Sequence, residues 1–278
     1  MAFIDLHIHS TASDGTYTPT EIVNLAKESG LSAIALTDHD TVEGIEEAMQ
    51  AASQAGIRLI TGIELSCQAL AREVHMLGYF YDYKDRTFLE RLEVLRLERA
   101  DRNQKMLDRF VADGFPITWE KLKHDNPDTV VNRAHFARVL VEEGYVPSTK
   151  AAFDKYLGDG KKYYIPRVLI DAKEAIRYIH EAGGLAVLAH PCDYKFSKKQ
   201  LRELIGDLKE AGLDGIEVYH SGNYEAQSLK LKELAHEFDL VYTGGSDFHG
   251  ENKPDIKIGI GRGGLRVHES LLDKLEQR

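Results

Sequence analysis

The sequence predicts an α/β fold, a barrel of the (β/α) kind interrupted by a helical insertion. Three observations predict it. Short β-rich runs alternate with amphipathic helical stretches through most of the 278 residues, the pattern of a parallel sheet covered by helices. No glycine-rich fingerprint follows the first strand, which disfavours an open dinucleotide-binding sheet. The alternation lapses between about residues 85 and 165, where helical patterns continue without a convincing strand.

Taken in order, Phe3 to His7 reads as a strand and Thr20 to Ser29 as the first amphipathic helix. Strand Ala33 to Thr37, helix Val42 to Ala55 and strands Arg58 to Leu65 and Val74 to Phe80 follow. After the insertion come helix Ala172 to Ala182, strand Leu185 to Ala189, helix Lys199 to Ala211, strand Gly215 to Tyr219, helix Glu225 to Phe238 and strand Leu240 to Thr243. Seven strands suit a closed parallel barrel in a chain of this size. Residues 1–84 and 166–278 are therefore assigned to the barrel and 85–165 to a helical cap.

Apolar residues make up 43% of the chain, enough for a large core and incompatible with wholesale disorder. The formal net charge of -10 argues against clamping duplex DNA on a basic face, so an anionic substrate has to be held locally. Met1 to Leu6 runs straight into His7-Ile8-His9 without room for a secretory signal, and no run approaches the roughly 18 apolar residues of a membrane span. A cytoplasmic protein with no membrane partner is expected. Cys67 and Cys192 are too few for a disulfide framework. Twelve histidines against two cysteines are the unusual feature.

The histidines fall where strands run out. His7 and His9 are two apart and project to one face of the first strand's end. Thr37-Asp38-His39-Asp40 follows the second strand, and Glu64 ends the third apolar run. His75 alternates with Val74 and Met76, which turns it from their apolar face toward a barrel mouth. His190-Pro191 and Ser246-Asp247-Phe248-His249 follow two later strands. In barrel enzymes this end carries the chemistry, and imidazole with carboxylate but no thiolate favours divalent zinc, manganese or iron.

The set His7-x-His9, Asp14, His39, Glu64, His75, His190-Pro191 and Asp247-x-His249 resembles the polymerase-and-histidinol-phosphatase (PHP) family. The resemblance implies a distorted (β/α)7 barrel holding three divalent metal ions, most readily manganese, with zinc or iron as alternatives. His7, His9, Glu64 and Asp247 would hold the first ion. Glu64 would bridge to a second bound by His75 and His190, and Asp14, His39 and His249 would hold the third. A carboxylate at Asp14 is similar to the branch of small bacterial phosphoesterases that act on 3′,5′-bisphosphonucleosides. Asp38 and Asp40 are candidates for orienting ligand imidazoles or handling protons.

The insertion carries a stripe at helical spacing, Leu92, Leu95, Arg99, Arg102 and Met106, with two arginines interrupting an apolar line. Arg99 and Arg102 either turn outward to Glu98, Asp101 or Glu90, or meet an anion on the buried face. Asn132-Arg133-Ala134-His135 opens the next helix with Asn132 as N-cap, and resembles the family's Asn-Arg-Pro-His pattern with Ala134 in place of proline. Arg133 is expected to hold phosphate; His135 is a phosphate contact or a capping residue. Lys161, Lys162 and Arg167 read as surface or junction charges, Gly259 to Gly264 as a turn, and Cys192 as a small packing residue.

The chemistry the resemblance implies is hydrolysis, in which a metal-bound water loses its proton near neutral pH and attacks phosphorus. The expected enzyme is a phosphatase that removes the 3′-phosphate from a 3′,5′-bisphosphonucleoside while Arg99, Arg102 and Arg133 hold the 5′-phosphate. Alternatives are 5′-3′ exonucleolytic trimming of short RNA, histidinol-phosphate hydrolysis, whose single phosphate leaves the arginines idle, and a non-catalytic metal-binding module, against which the complete ligand set speaks. The expected partners are small phosphorylated nucleotides or an RNA 5′ end.

Overall fold

Alternation along Phe3-Ile4-Asp5-Leu6-His7-Ile8 makes β1 (Phe3–Ile8), which is buried along nearly its whole length, as a central parallel strand must be. Thr18 then starts α1 (Pro19–Glu28) with a capping box to Glu21 and proline in the first turn. Parallel β2 (Leu31–Leu36), α2 (Ile45–Ala55) and β3 (Arg58–Ala69) complete the first half, and β4 (Arg72–Tyr79) follows at once. A computed structural model describes residues 2–123 and 129–278. The helical segment comprises α3 (Arg86–Ala112), α4 (Trp119–Lys123), α5 (Arg133–Glu142) and α6 (Thr149–Ala152), the last continuing into a π-helical turn over Phe153–Leu157. The chain then runs through β5 (Ile170–Asp171), α7 (Ala172–Glu181), β6 (Leu185–Leu188), α8 (Lys198–Glu210), β7 (Gly215–His220), α9 (Glu225–Glu237), β8 (Val241–Gly245), β9 (Val267–His268) and α10 (Ser270–Glu276).

The sheet order is β8-β7-β6-β4-β3-β2-β1-β9, and the two ends of the β8-to-β1 path approach each other. Asp247 N–H donates to His7 O at 2.8 Å and His9 N–H donates to Phe248 O at 3.0 Å, which nearly closes the barrel. Gly245 permits the approach, because a Cβ there would lie 2.3 Å from that of His7.

The expectation of an all-parallel barrel fails at β4, which runs antiparallel to both β3 and β6. Its cause is the Leu70–Ala71 turn, whose two residues both have left-handed φ, 49° and 58°, the geometry of a two-residue hairpin. Neither residue is the Asn, Asp or Gly that usually marks such a turn. Glu64 consequently lies in the middle of β3 rather than at its tip, and reversal brings His75, near the start of β4, to the barrel end where the parallel strands finish.

Two apolar cores meet along α3. Phe88, Leu92 and Leu95 pack into the barrel's helical layer with Ile63 and Ile176, whereas Met106, Leu107 and Phe110 pack with Phe136, Leu140 and Leu157 of the helical segment. Arg99 and Arg102 lie at the seam between them, 4% and 5% exposed.

Candidate metal centre and arginine cavity

The strand ends bring nine predicted donors together. Four overlapping groups have donor atoms within 4.8 Å of one another: His9, Asp14, His39 and His249; His7, Glu64 and His190; His7, His9 and Asp247; and His39, Glu64 and His75. His9 belongs to two of these groups, one with His7 and Asp247 and one with Asp14, His39 and His249, while His75 and His190 both face Glu64 Oε1.

Glu64 is the hub. Its Oε1 is 2.9 Å from both His75 Nδ1 and His190 Nε2, and its Oε2 lies 3.1 to 3.4 Å from nitrogens of His39, His9 and His7. Burial would raise its pKa, but the imidazoles of His39, His75 and His7 outweigh burial and hold the carboxyl well below the usual range. His7 Nε2, His9 Nε2 and His39 Nδ1 are buried and make no hydrogen bond. Orphaned nitrogens are costly in a dry interior, yet two donors sharing one ion at about 2.1 Å each stand roughly 3 to 3.5 Å apart. The donor set fits divalent cations. Backbone strain marks the same place: His190, Asp247 and Asp40 have left-handed φ of 24°, 57° and 53°.

Next to the donors, a cavity of about 310 Å³ has Asp14, His39 and His75 on one side and Arg99, Arg102, Arg133 and Arg167 on the other. Asp40 takes an ion pair from Arg99 and another, at 3.2 Å, from Arg167. Arg133 meets Glu73 at 3.2 Å and lies 5.3 Å over the Tyr164 ring. Among the described residues Arg102 has no hydrogen-bond or ion-pair partner; burial and the guanidiniums of Arg99, Arg167 and Arg133 push its pKa down to about 9. The outward pairing of Arg99 and Arg102 with helix carboxylates is therefore not what the structure contains.

A model of the PHP domain family matches residues 5–211. The chain belongs to the PHP domain family. It is 41% identical to a 5′-3′ exoribonuclease of Haemophilus influenzae over 88% of this chain and 89% of that protein. A 3′,5′-nucleoside bisphosphate phosphatase of Chromobacterium violaceum is 36% identical, with 92% and 91% covered. Among solved structures, a Bifidobacterium adolescentis protein described provisionally as a metal-dependent phosphoesterase superposes with a TM-score of 0.88 at 33% identity, covering 99% of this chain and 95% of that one. The chain is thus a PHP-type metal-dependent phosphoesterase.

The PHP site also contains residues the sequence did not single out. Arg167, expected to be a surface or junction charge, instead has a buried side chain that meets Asp40 at 3.2 Å. Lys161 is exposed, and Lys162 is exposed against Asp113. Asp38 and Asp40 touch no ligand imidazole. Asp38 instead accepts from Ser10 N–H and from the hydroxyls of Ser10 and Ser13, fixing the loop that carries Asp14. Orientation of the imidazoles falls to Glu217, 3.0 Å from His7 Nδ1 and accepting from His190 N–H at 2.8 Å. Its signal was a glutamate inside the apolar strand Gly215-Ile216-Glu217-Val218. Lys253 and His220 hold Asp247 Oδ2, at 2.6 and 3.4 Å, and leave Oδ1 facing His7, His9 and His249. Asn132 caps α5 by accepting from Ala134 N–H and also donates to Asp14 Oδ2 at 2.6 Å. His135 Nδ1 accepts from Asn132 N–H, the capping alternative, and does not line the cavity. The Gly259–Gly264 stretch is a turn region, and Cys192 is half-buried in packing. Among the described residues, no helix is long and apolar enough to cross a membrane.

Proposed function

We propose that the protein hydrolyses the 3′-phosphate ester of a nucleotide that also carries a 5′-phosphate, so that a 3′,5′-bisphosphonucleoside yields a nucleoside 5′-monophosphate and phosphate. The observation that carries this reading is Arg102. A guanidinium 5% exposed and without a partner is unfavourable unless an anion joins it. Four guanidiniums facing the carboxylates of Asp40 and Glu73 and the exposed Asp159 leave a surplus of positive charge, the complement of a phosphate anion.

In this reading residues 85–165 form a cap on a barrel of residues 1–84 and 166–278, and Arg99, Arg102, Arg133 and Arg167 grip the 5′-phosphate. The ribose then spans to the donor cluster, where His7, His9, Asp14, His39, Glu64, His75, His190, Asp247 and His249 would hold up to three divalent ions, manganese foremost. When bound, such ions supply an acidified water and polarise phosphoryl oxygens. Glu217, Lys253 and His220 hold the donors in place, and the arginines set the distance between the two phosphates. We place the enzyme in the cytoplasm, acting on small phosphorylated substrates rather than duplex DNA. A second reading, exonucleolytic trimming of 5′-phosphorylated RNA, is favoured by the identity to the Haemophilus influenzae exoribonuclease.

The test compares manganese-loaded protein on adenosine 3′,5′-bisphosphate and on adenosine 3′-monophosphate. The bisphosphate is expected to show a kcat/KM about a hundredfold or more higher. Equal values would remove the arginine cavity from substrate binding.

A further inference from the structure

Antiparallel strands exchange two backbone hydrogen bonds at every second pair of residues. The register of β4 against β6 sets Met76 opposite Leu188, so the next pair outward is His75 with Ala189. Ala189 N–H donates to His75 O at 3.0 Å, the first bond of such an exchange. The return bond passes through a side chain instead. His75 N–H donates to the Tyr194 hydroxyl at 2.8 Å, and that hydroxyl donates to Ala189 O at 2.7 Å. Tyr194 thereby holds the two backbone groups further apart than a direct bond of about 2.9 Å would.

The opening lies between two of the donors. His75 is one member of the widened pair and His190 directly follows the other, and both imidazoles face Glu64 Oε1 at 2.9 Å, their ring centroids 5.1 Å apart and their planes at 80°. Tyr194 is itself held in place. Arg72, at the start of β4, donates to Tyr194 O at 2.6 Å and lies 5.0 Å over the Phe196 ring, which fastens the loop after His190-Pro191 to the strand that carries His75. The Tyr194 ring stands 5.4 Å from that of His190 and forms part of the wall of the arginine cavity. With its hydroxyl committed to backbone on both sides, the residue is a wedge of fixed width between the strands that present His75 and His190.

We propose that Tyr194 is a positioning residue: its hydroxyl, inserted into the β4–β6 ladder, sets the separation of His75 and His190 and so the affinity for the ion that these imidazoles and Glu64 would share. The inference rests on the donor cluster holding divalent metal, as in the proposed function. Tyr194→Phe keeps the ring and removes the hydroxyl, so that His75 N–H and Ala189 O either close on each other or lose their partner, and either change moves the imidazoles. The test titrates the metal-free full chain with manganese by calorimetry, for the parent and the variant, with Tm of the metal-free forms to report folding. One manganese site is expected to weaken about tenfold or more in Tyr194→Phe. On adenosine 3′,5′-bisphosphate the manganese-loaded variant should lose kcat and keep its KM, because the arginines are untouched. A lower Tm with unchanged manganese affinity would make the hydroxyl a purely structural bond and overturn the proposal. Phe196→Leu loosens the same loop and keeps the hydroxyl, so it should bind manganese as the parent does; an equal weakening there would assign the effect to the loop and overturn the role of Tyr194. A parent that binds no manganese sinks the inference and the proposed function together. One that binds manganese but does not hydrolyse the bisphosphate sinks the proposed substrate alone, and the titration still decides Tyr194.

Discussion

The donor cluster and the arginine cavity share a wall at Asp14, His39 and His75, yet they are unbalanced in opposite ways. Around Glu64 the imidazoles turn nitrogens inward at 2.9 to 3.4 Å, and three of those nitrogens bond to nothing. Beside it, guanidiniums outnumber the carboxylates paired with them, and Arg102 has no partner among the described residues. One region is rich in inward-facing lone pairs, the other in guanidinium charge. On the proposed function, the spacing of these two adjacent regions selects a substrate by the separation between its charged groups.

The comparison breaks most completely at Glu64. Replacing it, Glu64→Gln, withdraws the carboxylate that faces five imidazoles, and turnover should fall by about a thousandfold or more with a lower divalent metal content per chain by atomic emission. Unchanged metal content would detach Glu64 from metal holding.

Arg102→Met separates binding from folding. The variant should raise KM for the bisphosphate by about a hundredfold while its Tm rises, because a buried charge without a partner is replaced by an apolar chain, worth about 1 kcal/mol. A lower Tm with unchanged KM would make Arg102 a structural residue.

The smallest effect is expected at Asn132, where the two regions touch. Asn132→Ala removes the α5 cap, costing about 1 kcal/mol in denaturant titration. It also frees Asp14, so the metal bound most weakly in a titration should weaken about tenfold further, an effect a lost cap alone would not produce.

Much of this was legible in the sequence because strand periodicity and strand ends are local features. His7-x-His9, His39, His190 and Asp247-x-His249 needed only the end of an apolar run to be placed, and the structure brings them together. The antiparallel β4 was not legible, since Leu70–Ala71 carries no turn signature and its left-handed backbone is fixed by the pairing of the strands it joins. Arg167 was missed for a related reason: its side chain is buried against Asp40, a partner 127 positions away. Glu217 was visible as an anomaly, a carboxylate in a buried strand, but its partner His7 lies 210 positions earlier.

The closure of β1 against the segment after β8 has a consequence for how the protein is made. His7 and His9 are synthesised first, whereas Asp247 and His249, which reach them through the Ile8–Phe248 bridge, are synthesised some 240 residues later. Such pairing is the slow, non-local kind, and no partial chain possesses the full donor set. The donor cluster is therefore complete only once the last strand and the segment after it have closed on the first.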